Sequence, residues 1–148
     1  MKGLLSIAGI VLLLDQISKW IVRTNMVEGE TSAVWGDIWR ITYIKNEGIA
    51  LGFFQGQGLF LIVTGLVVII AIPLFYSRLK HQDRWIGFGT GLILGGAMGN
   101  FFDRLRLGGV IDFLDIGLGQ CRWPAFNLAD ISICLGVGIL ICRWIKKG

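Results

Sequence analysis

Charge is what this sequence has least of: 16% of its 148 residues are Asp, Glu, Lys or Arg, against roughly 25% in a soluble domain. So few polar side chains cannot cover a surface that faces water, and 54% of the chain is hydrophobic, with a mean hydropathy of +0.69. The net charge of +4 does not point to a nucleic-acid partner, because the cations cluster between apolar runs. There is one histidine, His81, in the polar stretch from Arg78 to Arg84, which contains no Cys or Ser. A Ser/His/Asp or Cys/His site would depend on it, and its place on the basic side argues against either. The three cysteines, Cys121, Cys134 and Cys142, are odd in number, two lie in an apolar run, and none has metal-ligand spacing. Neither a disulfide framework nor a metal site is expected, and no cofactor.

What the sequence does have is long apolar runs, the mark of an integral membrane protein. The first, Leu4 to Leu14, extends through Val22 to spanning length. It lacks an A-x-A-like cleavage site and three further runs follow, so it is read as a retained helix rather than a signal peptide. Leu59 to Tyr76 and Trp85 to Phe102 are each 18 residues without a charge. The fourth, Ile131 to Cys142, reaches spanning length only by including Phe126 to Asp130. The expectation is one integral membrane domain over 1–148, all-α, with four spans at about 4–22, 59–76, 85–102 and 126–143.

Charge placement orients these spans. Segments 1–3, 77–84 and 143–148 hold seven cations in 17 residues, whereas 23–57 and 103–125 hold six in 58 and are outweighed by seven acids. By the positive-inside rule both termini are cytoplasmic and the long polar connections lie outside. In the first of them, at about 33–55, Ile38 to Lys45 alternates as a strand does. Trp39, Ile41 and Tyr43 fall on one face, Arg40 and Thr42 on the other. A small outer β-sheet with its aromatic face toward lipid headgroups is expected, ending in a turn at Asn46 to Gly52.

Several polar residues need a reason. Gly87, Gly91, Gly95 and Gly99 recur every fourth residue with Gly96 beside them, a bare face suited to close helix packing. That face continues to Asn100 and Arg104, with Asp103 alongside; Asp103 and Arg104 can be read as a surface pair at the helix end. Asp15 and Lys19, four apart, can neutralise each other, or Lys19 can snorkel outward. An unpaired Asp at the bilayer centre costs roughly 2.5–3.5 kcal/mol on insertion scales. Asn127 and Asp130 share a face at the start of the fourth span, where Asn127 suits a helix cap and Asp130 has no cation beside it. Asp112, between Ile111 and Phe113, is poorly solvated; Asp115 reads as an ordinary loop acid. If Asp112 and Asp130 converge, repulsion raises one pKa and leaves one acid and one base at neutral pH, which aspartic peptide hydrolysis requires.

From Asp15 through Ile133 the chain resembles the bacterial lipoprotein signal peptidase (signal peptidase II) family, four-helix aspartic peptidases of the inner membrane. The resemblance rests on Asp15-x-x-x-Lys19, Asn46-x-Gly48-x-Ala50-x-Gly52, Gly95-Gly96-x-x-Gly99-Asn100-x-x-Asp103-Arg104, Val110-x-Asp112-Phe113 and Phe126-Asn127-x-Ala129-Asp130. It implies that Asp112 and Asp130 are a metal-free catalytic dyad. It also implies that Asp15, Lys19, Asn100, Arg104 and Asn127 support the dyad, and that Asn46 and Gly48 belong to a sheet that cradles substrate. The implied substrate is a diacylglyceryl-modified prolipoprotein cut just before its lipidated cysteine, with membrane lipid as the other partner and a monomer as the working unit.

Two other readings stay open on the residues alone. A small four-span proton-coupled transporter would use Asp15 as its coupling carboxylate, but leaves the strand-like connection and the second acid pair unexplained. A non-catalytic assembly subunit accounts for the glycines and for none of the buried acids.

Overall fold

The computed structural model describes residues 1–48, 56–78 and 83–146. Four helices, α1 (Lys2–Asn25), α2 (Gly58–Ser77), α3 (Arg84–Leu107) and α4 (Leu128–Ile145), form a bundle. Four strands, β1 (Thr31–Trp35), β2 (Trp39–Asn46), β3 (Val110–Leu118) and β4 (Cys121–Arg122), form a small open sheet in the order β1-β2-β3-β4, with every pair antiparallel. The architecture is thus an all-α bundle carrying a sheet on the connections α1–α2 and α3–α4. Among the described residues, α1, α2 and α4 are long and apolar enough to cross a membrane. The third helix is as long as α1, but its glycines and its polar end, Asn100 to Arg106, hold its apolar content down. His81 and the segment 49–55, with Ala50 and Gly52 of the turn motif, lie outside the described residues.

Helix α3 is the centre of the bundle, packed on α1, α2 and α4, and its glycines are why it can be. A Cβ at Gly91 would stand 2.8 Å from the Leu4 carbonyl oxygen, and one at Gly95 2.6 Å from that of Ala8. On the other flank a Cβ at Gly96 would stand 2.5 Å from the Ala129 carbonyl oxygen. Backbone meets backbone on both sides, the arrangement that small residues four apart permit. These contacts make α1 and α3 parallel, with α4 antiparallel to both.

The sheet departs from the expected one in two ways. Its second half, β3 and β4, lies in the α3–α4 connection, where the sequence reading placed no strand, so Asp112 and Asp115 are strand residues. Asp115 is buried rather than a loop acid: it accepts from Thr42 Oγ1 at 3.0 Å and from Arg122 Nε at 2.7 Å. The β2 face also points differently. Ile41 and Tyr43 pack against Val22, Ile111, Phe113 and Leu114, and Thr42 is buried beneath β3. The helix ends thus cover Ile41 and Tyr43 of the face that had been assigned to lipid headgroups, while Trp39 stays exposed, and the register shifts between Ile41 and Ile44.

Candidate active site

The site lies where the ends of α3 and α4 meet the sheet. Helix α3 stops because Gly108 adopts the left-handed conformation (φ 72°) and its N–H closes on the Arg104 carbonyl at 3.0 Å, a conformation that costs glycine little. The chain turns at once into β3, and Asp112 follows four residues later. Strand β2 runs antiparallel beside it with Ile44 opposite Asp112 and Asn46 opposite Val110. Helix α4 begins with a reciprocal cap. Asp130 N–H donates to Asn127 Oδ1 at 3.0 Å, and Asn127 N–H donates to Asp130 Oδ2 at 3.1 Å, two otherwise orphaned donors satisfied at one turn. Asp130 is therefore part of the cap that the sequence reading gave to Asn127 alone.

Two asparagines join the aspartates. Asn127 Nδ2 donates to Asp112 Oδ1 at 2.7 Å, and Asn100 Nδ2 donates to Asp130 Oδ1 at 2.8 Å. A second Asn127 Nδ2 contact, at 3.2 Å to Asn100 Oδ1, closes the link. Asn46 Nδ2 donates to the other oxygen of Asp112 at 2.9 Å, and Gly48 N–H fixes Asn46 through its Oδ1 at 3.0 Å. Asp112 is 4% exposed. Burial first, and the neighbouring charge of Asp130 with it, pushes its pKa up to about 6 against the lowering pull of the Asn46 and Asn127 amides. A carboxyl that can hold or release a proton near neutrality thus faces a second one through a shared amide network.

Behind this network sits a buried ion cluster. Lys19 Nζ is 2.8 Å from Asp15 Oδ2, 2.8 Å from Asp103 Oδ2 and 3.0 Å from Asn100 Oδ1. All three of its donors are used, and at 2% exposure it does not snorkel. Asp15 gives its remaining oxygen to Ala129 N–H at 3.0 Å, the first turn of α4, where a negative charge is favourable. Gly99 lacks a Cβ at the spot where one would strike the Asp15 carboxylate. Asp103, read from sequence as one half of a surface pair with Arg104, is buried on Lys19 and also accepts from Ile111 N–H at 3.3 Å, tying β3 to α3. Gln16, which sequence reasoning did not single out, donates to Asp103 Oδ1 at 2.9 Å and to the Gly99 carbonyl at 3.3 Å.

Arg104 makes no ion pair with either aspartate. It donates through Nη2 to the Gly48 carbonyl at 3.3 Å, and its buried Nε has no partner among the described residues. It faces a cavity of about 790 Å³ whose polar end is Asn46, Asn100, Arg104, Asp112 and Asp130, and whose wall includes Trp123, Phe126, Ile131, Ile133 and Leu135. Asp15, Lys19, Asn46, Gly48, Asn100, Arg104, Asp112, Asn127 and Asp130 thus all lie in this cavity or in the network behind it. Two carboxyls meeting at the polar end of an apolar hollow can activate a water and hold an amphipathic ligand. Among the described residues no group of three or more His, Cys, Asp and Glu could hold a metal ion.

Comparison with known proteins gives the family of the chain. The family model of signal peptidase (SPase) II matches residues 7–146. The chain is 41% identical over 145 residues to the lipoprotein signal peptidase of Syntrophus aciditrophicus, covering 95% of this chain and 90% of that one. It is 38% identical over 142 residues to the lipoprotein signal peptidase of Bacillus pumilus, covering 96% and 92%. A bacterial membrane enzyme solved by the in meso method at 2.3 Å superposes with a TM-score of 0.91 at 31% identity, covering 99% of this chain and 89% of that one. A second such enzyme, solved at 1.9 Å, gives 0.88 at 30% identity, covering 100% and 96%.

Proposed function

The chain belongs to the signal peptidase II family, membrane aspartic endopeptidases that remove lipoprotein signal peptides, and within that membership we propose that Asp112 and Asp130 are its catalytic dyad. The observation that carries this reading is the amide bridge: Asn127 and Asn100 hold one oxygen of each aspartate at the polar end of the cavity.

The pair holds one proton between them, and a water lies between the carboxyls. The ionised aspartate takes a proton from the water as its oxygen bonds to the scissile carbonyl carbon, while the protonated aspartate gives its proton to the carbonyl oxygen. Collapse of the gem-diol breaks the C–N bond, delivers a proton to the leaving nitrogen and restores the starting state. Arg104 Nε, Asn46 and the Gly48 segment orient the substrate backbone. Asp15, Lys19 and Asn100 hold the α1–α3–α4 junction rigid under the dyad.

The substrate is a prolipoprotein carrying a diacylglyceryl cysteine, cut just before that cysteine. We place all four helices across the bilayer as one membrane domain, both termini on the cytoplasmic side, the dyad near the outer surface, and a monomer as the working unit. Support comes from the alternation of helix directions and from the cations, seven of which fall on the terminal segments and the α2–α3 connection. The transporter reading is weakened by Asp15, which is fully buried with both oxygens bonded, and so is not placed to exchange a proton with a pathway. The test is cleavage of a diacylglyceryl lipobox peptide by the purified full-length protein in detergent. Wild type should cut before the modified cysteine. Asp112→Asn and Asp130→Asn should each lose at least about 10²-fold while eluting as folded protein. Substantial turnover by either variant removes that residue from the dyad.

A further inference from the structure

At the end of the bundle away from the aspartates, α3 and α4 leave a second groove of about 490 Å³. Its floor is Leu135, Gly138, Ile139 and Cys142, and its mouth is Trp85, Arg143 and Lys146. Cys134 and Leu135 line both this groove and the active-site cavity, so the two hollows adjoin along one flank of α4. From Leu135 to Lys146 is 11 steps along the chain, about 16 Å of helix, or half of the roughly 30 Å hydrocarbon thickness of a bilayer. The groove therefore has the reach of one leaflet's acyl chain, with its cationic rim at the depth of that leaflet's headgroups.

The rim favours a phosphate over other occupants. Arg143 Nη2 pairs with Asp83, but Arg143 Nε is buried without a partner among the described residues. Lys146 is exposed and makes no ion pair among them. Arg84 lies 5.9 Å from the Trp85 ring centre, an aromatic of the type found at headgroup level. Among the described residues the two lining cations, Arg143 and Lys146, with Arg84 beside Trp85 in sequence, outnumber the one carboxylate that pairs there, Asp83. The leader of a secreted substrate begins with positive charge and is repelled there, whereas an anionic headgroup is attracted by each nearby Lys or Arg.

We propose that this groove binds an anionic phospholipid of the leaflet at the cationic end of the bundle, its phosphate between Arg143 and Lys146 and one acyl chain along Leu135 to Cys142. The lipid lies next to the active-site cavity, against the same Cys134 and Leu135 that line it.

The test is native mass spectrometry of the full-length protein titrated with phosphatidylglycerol or phosphatidylcholine of identical acyl chains. Wild type should retain one phosphatidylglycerol about tenfold more tightly than phosphatidylcholine. The double variant Arg143→Gln, Lys146→Gln should bring the two lipids to parity. A Cβ at Gly138 meets nothing within 4 Å, so Gly138→Leu should fill the groove without disturbing the fold and also abolish the preference. Free glycerol phosphate should not displace the retained lipid, because it lacks the chain. Equal retention of both lipids by wild type, or a preference that survives either variant, overturns the proposal. So does displacement of the retained phosphatidylglycerol by a lipobox leader peptide, which assigns the groove to the substrate.

Discussion

Asn127 shows how one side chain can serve fold and chemistry together. Its Oδ1 caps α4 while its Nδ2 holds Asp112, so the helix start and the position of a carboxyl are fixed by the same amide. Asn46 holds the other oxygen of Asp112 and pulls its pKa down, opposing the burial that raises it to about 6. Replacing Asn46 with Ala removes that donor, so the alkaline limb of the kcat/KM profile, where the pair loses its shared proton, should move to higher pH. An unshifted limb in a pH series from 5 to 9 would contradict the assignment. Stability carries the same sign. The folded state keeps the Asp112 proton up to about 6 and the unfolded chain loses it near 3.8, so stability falls as pH rises between those values, by about 3 kcal/mol in all. Asp112→Asn has no proton to lose, and its melting temperature in detergent should decline less than that of wild type between pH 4 and 7. The two carboxyls of the proposed dyad stood out in sequence because an Asp flanked by Ile111 and Phe113, and another starting an apolar run without a cation, have no cheap solvation. The contact of Lys19 with Asp103 did not, because the local i,i+4 partner Asp15 hid a second partner contributed by another helix.

At the scale of elements, the glycines of α3 decide how near the elements bearing the site can come. A methyl at Gly96 would meet the Ala129 carbonyl, one residue from Asp130, and would push α4 off α3 against the Asn100 to Asp130 hydrogen bond. Gly96→Ala should therefore cost about 1–3 kcal/mol of stability and lower cleavage as well. In contrast, a Cβ at Gly9 on α1 meets nothing within 4 Å, and Gly9→Ala should leave activity intact and raise stability by up to about 1 kcal/mol. Thermal melts and turnover of the two variants side by side check this; equal damage would deny the glycine face its role in packing. The helices were readable because each is a long apolar run. Strand β2 was readable because it alternates. Strand β3 was not: Val110 to Asp115 is buried throughout, and a strand covered on both faces loses the period-2 signal. Its stretch from Val110 to Ile116 is a strand through pairing with β2, a long-range contact that no local pattern announces, while β4 pairs only its end at Gly117 and Leu118.

For the whole molecule, the cavity's two ends set what the substrate must bring. The polar end holds the carboxyls, and the wall toward α4 is Phe126, Ile131, Ile133 and Leu135, so the site suits a ligand whose scissile peptide is joined to hydrocarbon. Each buried CH₂ contributes roughly 0.8 kcal/mol, and two acyl chains therefore dominate the affinity of a short peptide. A lipobox peptide without its diacylglyceryl group should be cleaved far less efficiently, and the division of that loss between KM and kcat reports what the lipid does. If the chains only anchor, their energy is present equally in ground and transition states, and KM rises while kcat holds. If they also align the peptide bond against Asp112 and Asp130, kcat falls too. The geometry favours anchoring, because the amides of Asn46, Asn100 and Asn127 already fix the carboxyls from within the protein. Steady-state kinetics on matched lipidated and unlipidated peptides should therefore show the larger change in KM, and equal efficiency on both would mean that the apolar wall takes no part in substrate recognition.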